Sequence, residues 1–219
     1  MKKLYEHSEN KFSQFGEDGI IKEILNILNI KNGVTLEIGA WDGFYLSNTA
    51  NLWSNNKQFK GILIEGSNVF DIQSLKNKYD NIHCLKEFAS LDNPLESMID
   101  NCDFNVTNDN FVLASIDIDG DDLNVAKSMG KYKPIILIIE PNGYITKDNN
   151  LNPEGNCVEF LIESICPLGY EFIGMSGFLN KESGNLLFIR EDFKDKFPIV
   201  QLNWLKRGIL TTNGIEFTN

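Results

Sequence analysis

Two short apolar runs limit most strongly what this chain can fold into. Val34 to Ile38 reads as a buried strand that runs straight into a turn holding Gly39 and Gly43. Gly61 to Ile64 reads as a second strand, and it ends on Glu65. Glycine at a strand tip allows a sharp turn and a close approach of backbone to a ligand. Glu65 follows at about the 20-residue interval at which nucleoside-binding α/β folds place an acid to hold ribose hydroxyls. Glu37 and Asp42 have an ordinary alternative use, in capping a helix or pairing with a lysine, but that does not account for Glu65.

The same strand-and-turn pattern repeats along the chain. Ile20 to Leu28 has helical apolar spacing, with Asp18 placed as its N-cap. Strands are expected near 34–38, 61–65, 82–86, 111–117 and 134–140, and helices near 46–56, 68–79, 95–102, 123–129 and 158–165. The run at 134–140 is the most apolar and should be central, buried on both faces. Residues 142–156 are rich in Asn, Gly, Pro and Asp and read as a long functional loop. Two strands, 170–175 and 186–190, close the pattern, and the tail has no strong periodicity. Such alternation gives an α/β fold with a mostly parallel sheet and helices on both faces. Its ligand sits at the carboxyl ends of the strands, where strand order reverses.

With 219 residues and no repeats, the chain is read as one domain. It divides into an N-terminal helical segment (1–33), a cofactor-binding core (34–142), and an acceptor loop with a terminal strand pair (143–219). The formal charge of −11 speaks against a nucleic acid partner, whose phosphates need a basic face, and equally against an anionic membrane surface. No apolar run approaches the roughly 18 residues of a membrane span, and the start lacks a signal-peptide core, so the cytoplasm is the expected compartment. Cys84, Cys102, Cys157 and Cys166 form no C-x-x-C pair and are expected as reduced thiols. His7 and His83 alone make zinc an unpromising reading. A homo-oligomer is left open.

The glycine spacing selects among adenosine ligands. A dinucleotide site needs G-x-G-x-x-G to seat a pyrophosphate on a helix N-terminus. Here the pattern is Glu37-x-Gly39-x-x-Asp42-Gly43, with one glycine fewer and acids where phosphate would lie. Carboxylates repel a pyrophosphate and attract an ammonium or a sulfonium. This segment resembles the cofactor motif of class I S-adenosylmethionine-dependent methyltransferases.

A second constellation carries the chemistry. The fourth strand ends in Asp117-Ile-Asp119-Gly-Asp-Asp122 and the fifth in Glu140-Pro-Asn142. Strand periodicity puts Asp117 and Asp119 on one face, and neighbouring strand tips lie roughly 5 Å apart. Acids gathered so closely share a proton or bind a cation, and oxygen-only ligands suit Mg²⁺, Mn²⁺ or Ca²⁺. Capping of the next helix by Asp121 or Asp122 explains one acid and not the set. An EF-hand is excluded by spacing.

Together with Ser13-Gln14-x-Gly16-Glu-Asp18, Ser47-Asn48-Thr49 and Ser115-Ile-Asp-Ile-Asp-Gly120, these motifs resemble the FkbM-like branch of methyltransferases over roughly residues 12–142. The resemblance implies a Rossmann-like class I methyltransferase fold, with a seven-stranded sheet and an antiparallel last strand. It implies transfer of a methyl group from S-adenosylmethionine to a sugar hydroxyl, with a nucleotide-linked sugar for surface polysaccharide as the small-molecule partner. It places Glu37, Gly39 and Ala40 around the amino-acid portion of the cofactor, and Asp42 near its ammonium. Gln14 and Asn48 fall at its carboxylate, Glu65 at the ribose, Phe88 and Ala89 at the adenine, and Asp117 nearest the sulfonium. Backbone capping is the plain alternative for Gln14 and Asn48, and a core position for Phe88. Asp119 is the first candidate for base or metal ligand, with Asp117 beside it. Related enzymes hold Mg²⁺ at this edge, which carried over gives Asp119, Glu140 and Asn142 as ligands for Mg²⁺ or Mn²⁺. Pro141 departs from that pattern. Lys147, Lys181 and Arg207 are the cations available for a diphosphate, or ordinary surface residues. The competing readings are a metal-independent N- or O-methyltransferase of small molecules and a catalytically silent cofactor-binding module.

Overall fold

A computed structural model describes residues 3–118, 120–141, 158–177 and 184–198, and the backbone of 208–211 and 214–217. The elements are α1 (Glu17–Leu28), β1 (Gly33–Ile38), α2 (Ala50–Trp53), β2 (Phe59–Ile64), β3 (Ile82–Leu85), α3 (Leu95–Asp100) and β4 (Phe111–Ile116). They continue with α4 (Asp122–Lys127), β5 (Ile136–Ile139), α5 (Val158–Ile165), β6 (Tyr170–Met175), β7 (Leu186–Arg190), β8 (Gly208–Thr211) and β9 (Gly214–Phe217).

Seven strands form one sheet in the order β3-β2-β1-β4-β5-β7-β6. All neighbouring pairs from β3 to β5 are parallel, whereas β7 runs antiparallel to both β5 and β6. The chain leaves β1 first toward β2 and later reappears on its other side as β4, so strand order reverses at β1. Central strands are mostly apolar because both faces are covered, with Thr35, Glu37 and Ser115 as buried polar exceptions. One face packs Leu36, Ile116 and Leu137 against α3, α4 and α5. The other packs Val112, Ile136 and Ile138 against Ile20, Ile21 and Ile24 of α1.

Register fixes where the strand tips meet. Ile38 pairs with Ile64 on one side and Ile116 on the other, and Ile116 pairs with Ile139. The residues that follow, Gly39, Glu65, Asp117 and Glu140, therefore stand in one row at the carboxyl edge. The ladder runs through them: Gly39 N–H donates to the Ile64 carbonyl at 3.0 Å, and Glu140 N–H to the Ile116 carbonyl at 3.1 Å.

Several local expectations change. The helix expected near 46–56 is only α2, because Ser47, Asn48 and Thr49 bond to Glu37 instead of continuing a helix. The region expected as a helix at 68–79 holds a short 3₁₀ turn, Ile72–Asn77, of which only Ile72 is buried. The tail forms the β8–β9 hairpin. Cys84, Cys102 and Cys166 are free thiols, and Cys157 lies outside the described residues. Among the described residues no helix is long and apolar enough to cross a membrane.

Asp18 is not the N-cap of α1. The helix begins two residues earlier than that cap implies, at Glu17, after Gly16 in a left-handed conformation. Asp18 Oδ2 instead accepts from the backbone N–H groups of Lys11, Phe12 and Ser13 and from the Ser13 hydroxyl. Glu17, fully buried, clamps the same loop from the other side. Its Oε2 accepts from Phe15 N–H at 2.8 Å, and its Oε1 accepts from Ser176 Oγ at 2.6 Å and Asn185 Nδ2 at 2.9 Å. The loop carrying Gln14 is thus locked to the β6–β7 pair. Glu17→Ala leaves buried donors on both elements without an acceptor, and stability should fall by about 2–4 kcal/mol. Urea denaturation reads this, and a change below about 0.5 kcal/mol would contradict the clamp.

Candidate active site

The row of strand tips opens into a cavity of about 510 Å³, within the range of small-molecule sites. Its rim and walls are built by the turns after β1, β2, β3 and β4 together with the Gln14 loop.

Glu65 is set in place by backbone. Its Oε2 accepts from Trp41 N–H at 2.8 Å and its Oε1 from Ser67 N–H at 2.7 Å. A carboxylate has about four acceptor sites, so both oxygens keep lone pairs for further donors.

Glu37, only 5% exposed, braces the loop before α2. Oε2 accepts from Ser47 Oγ and Thr49 Oγ1, each at 2.6 Å, and Oε1 from Asn48 N–H at 2.8 Å. Burial pushes its carboxyl up to about 7, against the lowering effect of those three bonds, and the nearby Asp117 charge adds to the rise. From about pH 4.5 to about pH 7 the folded chain then holds a proton that the unfolded chain releases, so stability falls as pH rises through that window. Glu37→Gln removes the titration. Between about pH 5 and about pH 8 the wild type should lose about 2–3 kcal/mol more than the variant. Denaturation midpoints at the two pH values check this, and equal losses would show that Glu37 titrates normally.

Asn48 is held from two strands. Its backbone N–H reaches Glu37 on β1, and its Nδ2 donates to Ser115 Oγ on β4 at 2.9 Å. Its Oδ1 is buried and has no partner among the described residues. Asp122 works in the same structural way as Glu37, and not as a forward cap. Its carboxylate accepts from Ile118 N–H at 3.0 Å and Gly120 N–H at 3.1 Å, which fixes the turn after β4. Burial pushes its carboxyl up to about 6.

The outer wall is aromatic. Trp41 packs edge-on against Tyr45 at 5.1 Å and Phe70 at 5.4 Å between ring centroids. Trp41 and Leu46 both have left-handed backbone, φ 51° and 57°, a conformation that costs a side-chain-bearing residue about 1–2 kcal/mol. Both line the cavity, where such strain tends to collect.

Among the residues expected from sequence, Gln14, Glu37, Gly39 and Asn48 line the cavity. Glu65, Phe88, Ala89, Asp117 and Glu140 line it too. Phe88 is no core aromatic: it is 73% exposed, with its ring against the Gly66 backbone. Two residues fall elsewhere. Ala40 is buried behind the tip against Ala50, Trp53 and Leu63. Asp42 is exposed, and its Oδ1 accepts from Phe44 N–H at 2.8 Å and Tyr45 N–H at 2.7 Å, closing the turn. Asp119 and Asn142 lie outside the described residues. Among the described residues no group of three His, Cys, Asp or Glu could hold a metal ion. Sequence reasoning missed Trp41, Tyr45 and Ser115. Ser115 was within reach, since it stands two residues before Asp117 and so on the same strand face.

No protein-family model matches the sequence, and a search among curated proteins gives no match. Solved structures do match. A carbon methyltransferase, CurJ, superposes with a TM-score of 0.50 at 14% identity, over 79% of this chain and 52% of that one, so this chain spans about half its length. The N-terminal domain of EvdMO1, solved with SAH bound, superposes with a TM-score of 0.51 at 9% identity, over 80% of each chain. The fold is that of the class I S-adenosylmethionine-dependent methyltransferases. In the methyltransferase fold, as in other open α/β sheets, the crevice at the strand-order reversal takes the ligand. Here that crevice is the cavity between Glu65 on the β2 side and Asn48 and Asp117 on the β4 side.

Glu65, preset by two backbone N–H groups, stands at one side of the cavity, and the buried Asn48 Oδ1 lines the other. The lining holds five carboxylates (Glu37, Glu65, Glu87, Asp117 and Glu140) and, among the described residues, no lysine or arginine. That wall favours a ligand carrying positive charge.

Proposed function

We propose that the chain is an S-adenosylmethionine-dependent O-methyltransferase acting on a sugar hydroxyl. The observation that carries the cofactor half of this reading is Glu65. It stands at the tip of β2, at the edge of the cavity, with both oxygens oriented by Trp41 and Ser67 N–H groups and still able to accept. S-adenosylmethionine, when bound, supplies a methyl group made electrophilic by its sulfonium.

The chain's residues do the rest. Glu65 accepts from the ribose hydroxyls, the exposed Phe88 ring and Ala89 flank the base, and Asp117 lies toward the sulfonium. The bound cofactor would give its methyl group to the acceptor hydroxyl oxygen, the electron pair of the broken carbon–sulfur bond staying on sulfur, and a carboxylate of this chain would take the hydroxyl proton. Asp119 is assigned that proton, with Asp117 as the neighbouring acid. Glu37 and Asp122 are committed to bracing turns and are not candidates. Alignment of the two substrates can supply roughly 7–11 kcal/mol of the barrier.

The acceptor rests on the FkbM-like resemblance, which implies a nucleotide-linked sugar for surface polysaccharide. The carboxylates in the wall would repel a diphosphate, so the sugar ring would enter and the diphosphate would stay outside the cavity. Incubation with methyl-labelled S-adenosylmethionine and a panel of free sugars, glycosides and nucleotide sugars tests this. Label in a sugar O-methyl group is the expected result. Label only in a nitrogen or a non-sugar hydroxyl would overturn the acceptor assignment.

A further inference from the structure

A second cleft, of about 350 Å³, lies at the other end of the sheet, where β1 and β2 begin. Its walls are α1, α2 and the turns that lead from them into the strands. Lys22, Leu25 and Asn26 reach it from α1 at helical spacing, so they share one face of that helix. Asn56 ties the far wall together. Its Nδ2 donates to the Lys31 carbonyl at 3.4 Å, and its Oδ1 accepts from Gln58 N–H at 3.0 Å. From Phe59 at this cleft to Glu65 at the first cavity, β2 rises roughly 20 Å.

The two hollows carry opposite charge. Acids outnumber bases 31 to 20 in the chain, and Lys57, Lys76, Lys131 and Lys194 each meet an acid within 3.2 Å. Lys22 and Lys31 both line the cleft and meet no acid among the described residues. No Asp or Glu among the described residues lines it either. Two uncompensated ammonium groups on one concave surface attract an anion.

The rest of the lining selects what the anion is attached to. Leu25 and Phe59 are buried and Leu52 is half-buried, and together they give the cleft an apolar floor. The side-chain amides of Asn26 and Gln58 have no hydrogen-bond partner among the described residues. Asn51 Oδ1 accepts from Asn55 Nδ2 at 3.0 Å, which leaves its own Nδ2 to donate. Inorganic phosphate would leave the floor uncovered. A fatty carboxylate would displace water from the amides without replacing its bonds. A nucleobase has apolar faces for the floor and an edge of donors and acceptors for the amides.

We propose that this cleft is a second ligand site and that it takes a nucleoside monophosphate. Lys22 and Lys31 hold the phosphate, Leu25, Leu52 and Phe59 carry the base, and the amides bond its edge.

Calorimetric titration of the full chain with uridine monophosphate and adenosine monophosphate tests this, with the corresponding nucleosides and inorganic phosphate beside them. At least one monophosphate should bind with a Kd of about 1 mM or tighter. Its nucleoside and inorganic phosphate should each bind about tenfold more weakly or not at all. Lys22 and Lys31 are exposed, so Lys22→Gln/Lys31→Gln keeps the fold, and it should weaken the monophosphate by about tenfold or more. Lys78→Gln/Lys127→Gln removes the same charge at exposed positions outside the cleft and should change the affinity by about twofold or less. No binding of either monophosphate overturns the proposal, as does equal affinity for the nucleoside or for inorganic phosphate. A loss in Lys22→Gln/Lys31→Gln no larger than in the control pair also overturns it, because the nucleotide would then be bound elsewhere.

Discussion

Replacing Glu65 with alanine should weaken binding of S-adenosylhomocysteine by about 100-fold. Two charge-assisted hydrogen bonds to ribose hydroxyls are lost, each contributing about 1.5–3 kcal/mol, and only part of that is recovered by water entering the site. The variant should also be less stable, because the N–H groups of Trp41 and Ser67 lose their acceptor. Glu65→Gln keeps one acceptor oxygen but sets an amide NH2 against the other backbone N–H, so stability should fall part of the way toward that of Glu65→Ala while affinity falls by about tenfold. Calorimetry and urea denaturation on the same samples read both quantities. Unchanged affinity in Glu65→Ala would remove the ribose assignment, whatever happened to stability.

Gly39→Ala should have the largest effect on folding of any single methyl addition at this edge. Gly39 has φ 77°, and a Cβ there would overlap the Asp117 carbonyl oxygen. Left-handed backbone costs alanine about 1 kcal/mol, and forcing the tips of β1 and β4 apart adds overpacking of about 1–3 kcal/mol. A loss of about 3 kcal/mol or more is expected, read by urea denaturation. The displaced Asp117 should weaken ligand binding in whatever fraction still folds. A variant within about 1 kcal/mol of the wild type would show that the tips are not in contact.

The sheet was legible because its strands are short, apolar and separated by helical spacing, and because Glu65, Asp117 and Glu140 each follow the last buried residue of a strand. Register then brings them together. What sequence could not give were the side chains that bond backward or across. Asp18 looks like a helix cap, yet it accepts from the preceding loop. Asp42 looks like a ligand residue, yet it closes its own turn. Asp122 looks like a forward cap, yet it holds the turn before it. An acid near a helix start has several N–H groups within reach, and local spacing does not choose among them. Glu17 is a harder case, since its partners Ser176 and Asn185 lie far along the chain. Left-handed backbone at Trp41 and Leu46 has no sequence signal either, because neither residue favours it. The unpartnered oxygen of Asn48 is visible only when the Ser115 contact is known.

The central claim is that the crevice between β1, β2 and β4 binds S-adenosylmethionine. Calorimetric titration of the protein with S-adenosylhomocysteine tests it most directly. The expected result is a single site with micromolar affinity or tighter, abolished or strongly weakened in Glu65→Ala. No heat of binding at protein concentrations of about 100 μM, about −5 kcal/mol or weaker on the affinity scale, would contradict the account.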